Sequence, residues 1–132
     1  TKMKRIRSAF LLLGLILFFL FFEGCVETRQ KDITTDSNGS AEGTFVITQD
    51  CKIAFTSYTC NKQNCGSNLQ IQVTLTAKDN SPKENIIIVT ANQLSTDLNP
   101  ISTKFGDRLV FKISNGCPNA KYTITFTLDA GS

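Results

Sequence analysis

Cysteine has the most chemistry to offer in this sequence: Cys25, Cys51, Cys60, Cys65 and Cys117 stand in a 132-residue chain with no His and no Trp. Without His there is no Ser/His or Cys/His catalytic pair, no zinc site built on imidazole, and no side chain that ordinarily titrates near neutrality. The expectation is a non-enzyme with no catalytic residue and no cofactor. Zinc sites need paired short spacings, which a C-x4-C at Cys60 and Cys65 with two distant single cysteines does not supply, and no C-x-x-C redox pair is present. No metal is expected. Four cysteines in a small exported domain instead read as two disulfides among Cys51, Cys60, Cys65 and Cys117. A straight strand from 51 to 60 holds its ends about 30 Å apart at ~3.3 Å per residue, whereas bridged Cα atoms must approach within about 7 Å. Cys51 to Cys60 is therefore disfavoured. Two connectivities stay open: Cys60–Cys65 with Cys51–Cys117, in which the short bridge pins a hairpin loop, and Cys51–Cys65 with Cys60–Cys117.

Cys25 belongs to a different setting. Lys2, Lys4, Arg5 and Arg7 precede an unbroken apolar run of 14 residues, Ala9 to Phe22. As a helix that run spans about 21 Å, short of a hydrocarbon core of about 30 Å. A basic stub and a short apolar run are the first two regions of a secretory signal. The run ends in Phe22-Glu23-Gly24-Cys25. Residues 3–25 resemble a bacterial lipoprotein signal, in which cleavage before a Cys follows attachment of a diacylglycerol to its thiol. Phe22 and Glu23 depart from the usual Leu, Val or Ile followed by Ala or Ser. The resemblance implies a signal peptide over residues 1–24, lipidation at Cys25 and a palmitate-bearing anchor in the cell envelope. Val26 in place of Asp points to the outer membrane where the host is Gram-negative. The partners implied are the membrane, through the anchor, and a protein of the envelope. An uncleaved, signal-anchored surface subunit is the alternative.

The net charge is +3, but the first 24 residues hold four basic groups and one acidic group, leaving ten of each beyond them. A neutral remainder gives no case for nucleic acid, which demands a concentrated basic surface.

The elements that must position the remaining cysteines lie in two regions. Residues 25–43 join the lipidated Cys to a polar stretch, with only Val26, Ile33 and Ala41 apolar. That composition predicts a flexible tether with a reach of roughly 20–25 Å. Within it Asn38-Gly39-Ser40 reads as a turn. Residues 44–132 alternate with period two. Their expected inward positions are Phe45, Ile47, Cys51, Ile53, Phe55, Leu69, Ile71, Val73, Leu75, Leu109, Phe111, Ile113, Tyr122, Ile124, Phe126 and Leu128, with Thr in many outward slots. Ile86 to Val89 is continuously apolar, which predicts a central strand or one covered on both faces. Turn signals fall at Lys78 to Pro82, Leu98 to Pro100, Phe105 to Asp107 and Asn115 to Asn119. The fold class expected is all-β, a six- or seven-stranded antiparallel β-sandwich of immunoglobulin-like order preceded by the apolar signal helix, with a small β-barrel as the alternative. The immunoglobulin hallmarks themselves, a Trp and a second Cys in the strand over residues 108–114, are missing.

Candidate sites beyond the cysteines are few. Asp79, Asp97, Asp107 and Asp129 lack calcium-loop spacing and read as solvated turn carboxylates. Tyr58 and Tyr122 are too few to furnish an aromatic sugar platform. Asn61, Lys62, Gln63 and Asn119 are the binding candidates, on two polar connections, residues 60–68 and 115–121, expected at one end of the domain. Tyr58-Thr59-Cys60 resembles the Tyr-x-Cys of membrane-bound lysozyme inhibitors, although their Ser-Gly-x-x-Tyr segment does not occur here. The function expected is a membrane-anchored binding or structural module, with an enzyme-inhibitor lipoprotein as the alternative. Sheet edges discriminate between binding and assembly: strand addition needs a long uncharged edge, whereas loop-borne binding leaves edges protected by Lys or Pro.

Overall fold

Antiparallel strands dominate residues 26–130, which the computed structural model describes; the expected signal segment 1–24 and Cys25 lie outside them. In chain order the strands are β1 (Val26–Thr34), β2 (Ala41–Val46), β3 (Cys51–Cys60), β4 (Gln70–Thr76), β5 (Pro82–Thr90), β6 (Gln93–Leu94), β7 (Ile101–Thr103), β8 (Arg108–Ser114) and β9 (Lys121–Asp129). No helix occurs among the described residues. The strands form two sheets, β1-β9-β3-β7 and β2-β8-β4-β5-β6, which face each other as a β-sandwich and do not close into a barrel.

Four pairings nest one inside another: β4 with β5, β3 with β7, β2 with β8 and β1 with β9. They describe one long antiparallel ribbon with its tip at β4 and β5. Rolling the ribbon onto itself adds the pairings of β9 with β3 and β8 with β4. A double-sheet sandwich made this way has jelly-roll topology. The immunoglobulin-like order does not hold, since that order keeps its first two strands in one sheet. Here β1 and β2 lie in different sheets, and the final strand β9 is interior rather than at an edge.

Period-two alternation builds the core as the sequence predicts. Ile53, Ile71, Val73, Leu109, Phe111, Ile124 and Phe126 are fully buried, and Phe45 and Phe55, though half-buried, pack against them. Four rings join the sheets at the centre. Phe45 meets Phe126 edge-on at 5.0 Å, and Phe55 lies 6.0 Å from Phe111 and 5.8 Å from Phe126. Such pairs add about 0.5–1.5 kcal/mol each beyond the area they bury.

Besides the strand order and the strand number, nine among the described residues rather than six or seven, three expectations are corrected by this architecture. Ile86 to Val89 is neither central nor covered on both faces. The register of β5 against β4 shifts between Ile71 and Gln72, so Ile88 and Val89 both turn inward while Ile87 stays 47% exposed. A bulge thus explains the run that alternation could not. The stretch expected to be a tether is structured: β1 pairs with β9 along its whole length, from Val26 opposite Asp129 to Thr34 opposite Lys121, and β2 pairs with β8. Only Ile33 of β1 is buried, so the ladder of backbone hydrogen bonds holds this strand rather than apolar burial. Asp107, finally, is not a solvated turn carboxylate. It is 3% exposed, and its Oδ2 accepts from Lys83 Nζ and from the Lys104 backbone N–H, both at 2.9 Å.

Burial pushes the Asp107 carboxyl up, but the Lys104 N–H and the Lys83 ammonium outweigh it and hold the group below its ordinary value. A carboxylate with a depressed folded pKa stabilises the fold at pH values above the unfolded value of about 3.9, and that contribution is lost as pH falls through the folded value. Asp107→Asn should therefore lower the melting midpoint at neutral pH and weaken its fall in acid, below about pH 4. An acid limb identical to that of the wild type would remove Asp107 from this role. In β1, alternate amides should exchange with solvent more slowly than those of an unstructured peptide, as read by hydrogen–deuterium exchange. Free-peptide rates throughout residues 26–34 would restore the tether.

Candidate functional site

Three connections meet at the end of the sandwich where β1 finishes and β9 begins: residues 35–40, 61–69 and 115–120. Their backbones are locked together. Thr35, buried at 3% exposure, donates its hydroxyl to the carbonyl of Cys117 and accepts from the Ala120 N–H at 2.9 Å. Asp36 folds the first connection on itself by accepting from the N–H groups of Asn38 at 2.8 Å and Ser40 at 3.0 Å; these bonds hold its carboxyl below the ordinary value. The turn expected at Asn38-Gly39-Ser40 is therefore present. Gly39 sits at φ +75° with its carbonyl accepting from Gly116 N at 2.9 Å, and a Cβ there would stand 2.0 Å from the Gly116 oxygen. No other residue fits.

The Asn-rich composition of these loops has a backbone cause. Asn64, Asn92, Asn115 and Asn119 all adopt positive φ, between 51° and 64°, a region that Asn tolerates better than other residues with a Cβ. Two of the four expected binding residues turn out to position the loops. Asn61 donates its N–H to the Lys121 carbonyl at 3.1 Å and accepts the Lys121 N–H on Oδ1 at 2.8 Å, extending the β3–β9 ladder one step past Cys60. Asn119 is exposed and donates its N–H to the Asp36 carbonyl at 2.9 Å. Lys62 reaches across to the Pro118 carbonyl at 3.0 Å, and Gln63 is exposed beside it on the 61–69 connection.

Between the 61–69 connection and the sheet lies a cleft of about 400 Å³ bordered by Tyr58, Cys60, Lys62, Cys65, Asn92 and Tyr122, among others. Tyr58 donates its hydroxyl to the Asn92 carbonyl, and Asn92 Nδ2 donates to the Gly66 carbonyl at 2.6 Å. Tyr122 is buried, with its hydroxyl accepting from the Cys117 N–H at 2.8 Å. Burial raises both phenols above their ordinary values, and the neighbouring Cys60 thiol acts in the same direction. The paired polar tips of Tyr58 and Tyr122, noted in the sequence only as too few for a sugar platform, converge here. Asn92 lies outside the turns expected from the sequence and sits in the turn between β5 and β6.

The cysteine pairing differs from both expected connectivities. Cys65 is bridged to Cys117 across 52 residues of sequence, with Cα atoms 4.7 Å apart. Cys51 and Cys60 are free thiols at opposite ends of β3. Cys51 is buried far from the cleft end, where its Sγ lies 3.3 Å from the Thr103 hydroxyl. Cys60 has the opposite situation: its sulfur and those of Cys65 and Cys117 lie within 4.8 Å of one another. Among the described residues, those three cysteines are the ones placed to hold a soft metal. With Cys65 and Cys117 bridged, however, only Cys60 supplies a thiolate, and a metal would first need the bridge reduced.

Tyr122→Phe should cost about 1–3 kcal/mol in denaturant unfolding, the scale for leaving a buried N–H without its acceptor. Asn61→Ala should cost about 0.5–1.5 kcal/mol, the ordinary net worth of a hydrogen bond, whereas Gln63→Ala should leave stability unchanged. Equal stabilities for the Asn61 and Gln63 variants would contradict the loop-positioning role of Asn61. Comparison of the chain with protein-family models, with curated protein sequences and with solved structures finds no match.

Proposed function

We propose that this chain is an exported, lipid-anchored binding module that engages an envelope partner through the loops around the Tyr58–Tyr122 cleft. The observation that carries the loop-borne reading is the state of the sheet edges. β1 places Glu27, Arg29, Lys31 and Asp32 along one edge, β2 carries Glu42, β5 beyond its pairing with the two-residue β6 carries Pro82, Lys83 and Glu84, and the uncharged stretch of β3 beyond the three-residue β7 is broken by a bulge at Thr56. Charged, proline-bearing or bulged edges oppose strand addition, which weighs against a subunit that polymerises through its sheets. The cleft, by contrast, offers a concave surface lined by both apolar and polar residues, Leu69, Tyr58, Lys62 and Asn64 among them, a make-up suited to recognition. No catalytic chemistry is proposed, since the cleft brings together no acid–base pair of the kind that works near neutral pH.

The anchor follows from the basic stub, the apolar run and Gly24-Cys25. Strand β1 opens at Val26, directly after Cys25, and its nine residues rise about 27 Å at ~3.4 Å per residue toward the cleft. Lipidation at Cys25 would therefore hold the opposite end of the sandwich against the membrane and present the cleft outward, with no slack between anchor and fold.

Cys25→Ala should abolish incorporation of radiolabelled palmitate in the native host. Label in the variant equal to that in the wild type would end the lipoprotein reading. For the cleft, a photo-crosslinking amino acid at Gln63 should capture a partner in intact cells while the same probe at Gln30 on the β1 edge should not. Capture at Gln30 alone would reassign recognition to the sheet edge.

A further inference from the structure

Three sulfurs stand where one bridge needs two. Cys60, Cys65 and Cys117 have their Sγ atoms within 4.8 Å of one another, and of these Cys60 and Cys65 border the cleft while Cys117 is buried. Each is held by a different part of the fold. Cys60 closes β3, Cys65 lies on the 61–69 connection, and Cys117 lies on the connection clamped by Thr35 and Tyr122. We propose that Cys60 is the attacking thiol of a disulfide-exchange site, so that the bridge at this end migrates among the three cysteines and the free thiol moves between Cys60 and the loop.

The step is isomerisation and needs no oxidant. Cys60 gives its proton to solvent, and the thiolate attacks Cys117 Sγ. A Cys60–Cys117 bond forms as Cys65–Cys117 breaks, the electron pair leaves on Cys65 sulfur, and that sulfur takes up a proton. Attack on Cys65 Sγ forms Cys60–Cys65 by the same accounting and releases Cys117. Exchange of this kind needs a thiolate and access to the disulfide sulfur. The first route leaves its thiol on a half-buried residue bordering the cleft and the second on a buried one, so Cys65 is the favoured leaving sulfur. The ligand class that such a cleft thiol accepts is a small disulfide, which Cys60 or Cys65 would attack to give a mixed disulfide and one free thiol. The site rests on the sulfur geometry and is independent of the anchor.

The test uses the full chain purified without reductant, incubated at pH 8 or pH 4, shifted to weak acid and trapped there with excess N-ethylmaleimide, and mapped as non-reduced peptides. Expected are peptides linked 65–117 together with 60–117, and alkylation of Cys65 that grows with time at pH 8 and is arrested at pH 4. Cys60→Ser should leave 65–117 as the sole bridge. Cys65→Ser should form 60–117 on air oxidation, which tests the reach of Cys60 without a competing bridge. The proposal is overturned if native protein shows 65–117 alone with Cys65 and Cys117 unalkylated at all times, or if Cys65→Ser leaves Cys60 and Cys117 as free thiols. Incubation with oxidised glutathione at pH 8 should add one glutathione to Cys60 or Cys65, and a mass shift confined to Cys51 would contradict the ligand class.

Discussion

The register of β9 is the constraint on which the rest of this domain depends. That strand is hydrogen-bonded on both sides, to β1 and to β3, and sends Tyr122, Ile124, Phe126 and Leu128 inward. Because side chains alternate across a strand, a slip of one residue would turn all four outward and put Thr123, Thr125 and Thr127 in their place. Phe126 would leave the contact it makes with Phe45, Phe55 and Phe111, which is where the two sheets meet. Tyr122 would lose the Cys117 N–H, and with it the floor of the cleft. The core and the candidate site thus share one strand and one register.

This dependence explains what could be read in the sequence and what could not. Inward positions were legible because burial leaves a period-two trace, from Leu69 through Leu75 and from Tyr122 through Leu128. The β1 strand was not legible. Its residues are polar and exposed except Ile33, and its order comes from backbone bonds to β9, to which composition is blind. The bulge at Ile88 hid in the same way, since an inserted residue breaks alternation without changing residue types.

The disulfide had a readable half. Taking residues 51–60 as one straight strand already placed Cys51 and Cys60 at opposite ends of the sandwich, as they are. The two connections bearing Cys65 and Cys117 lie at the Cys60 end, so Cys51 could join neither. Cys51 is thereby isolated, which leaves three cysteines for one bridge at the other end. Likewise the polarity of Asn61 and Asn119 suits a surface recognition role, but it does not foretell the bonds across the loops that these two residues also make.

The nested ribbon has a consequence for the order in which the domain comes into being. β1 is the first described strand and its partner β9 the last, with Val26 opposite Asp129. Pairings so distant in sequence impose a loop-closure entropy before they return any stability, and folds dominated by them form slowly. A chain emerging N-terminus first, from a ribosome or across a membrane, would have to deliver every residue through Asp129 before β9 could enter between β1 and β3. Until then β1 has no ladder and the cleft has no Tyr122. While such a chain is still being threaded it lacks the strand that joins β1 to β3, and the sandwich is complete only once β9 arrives.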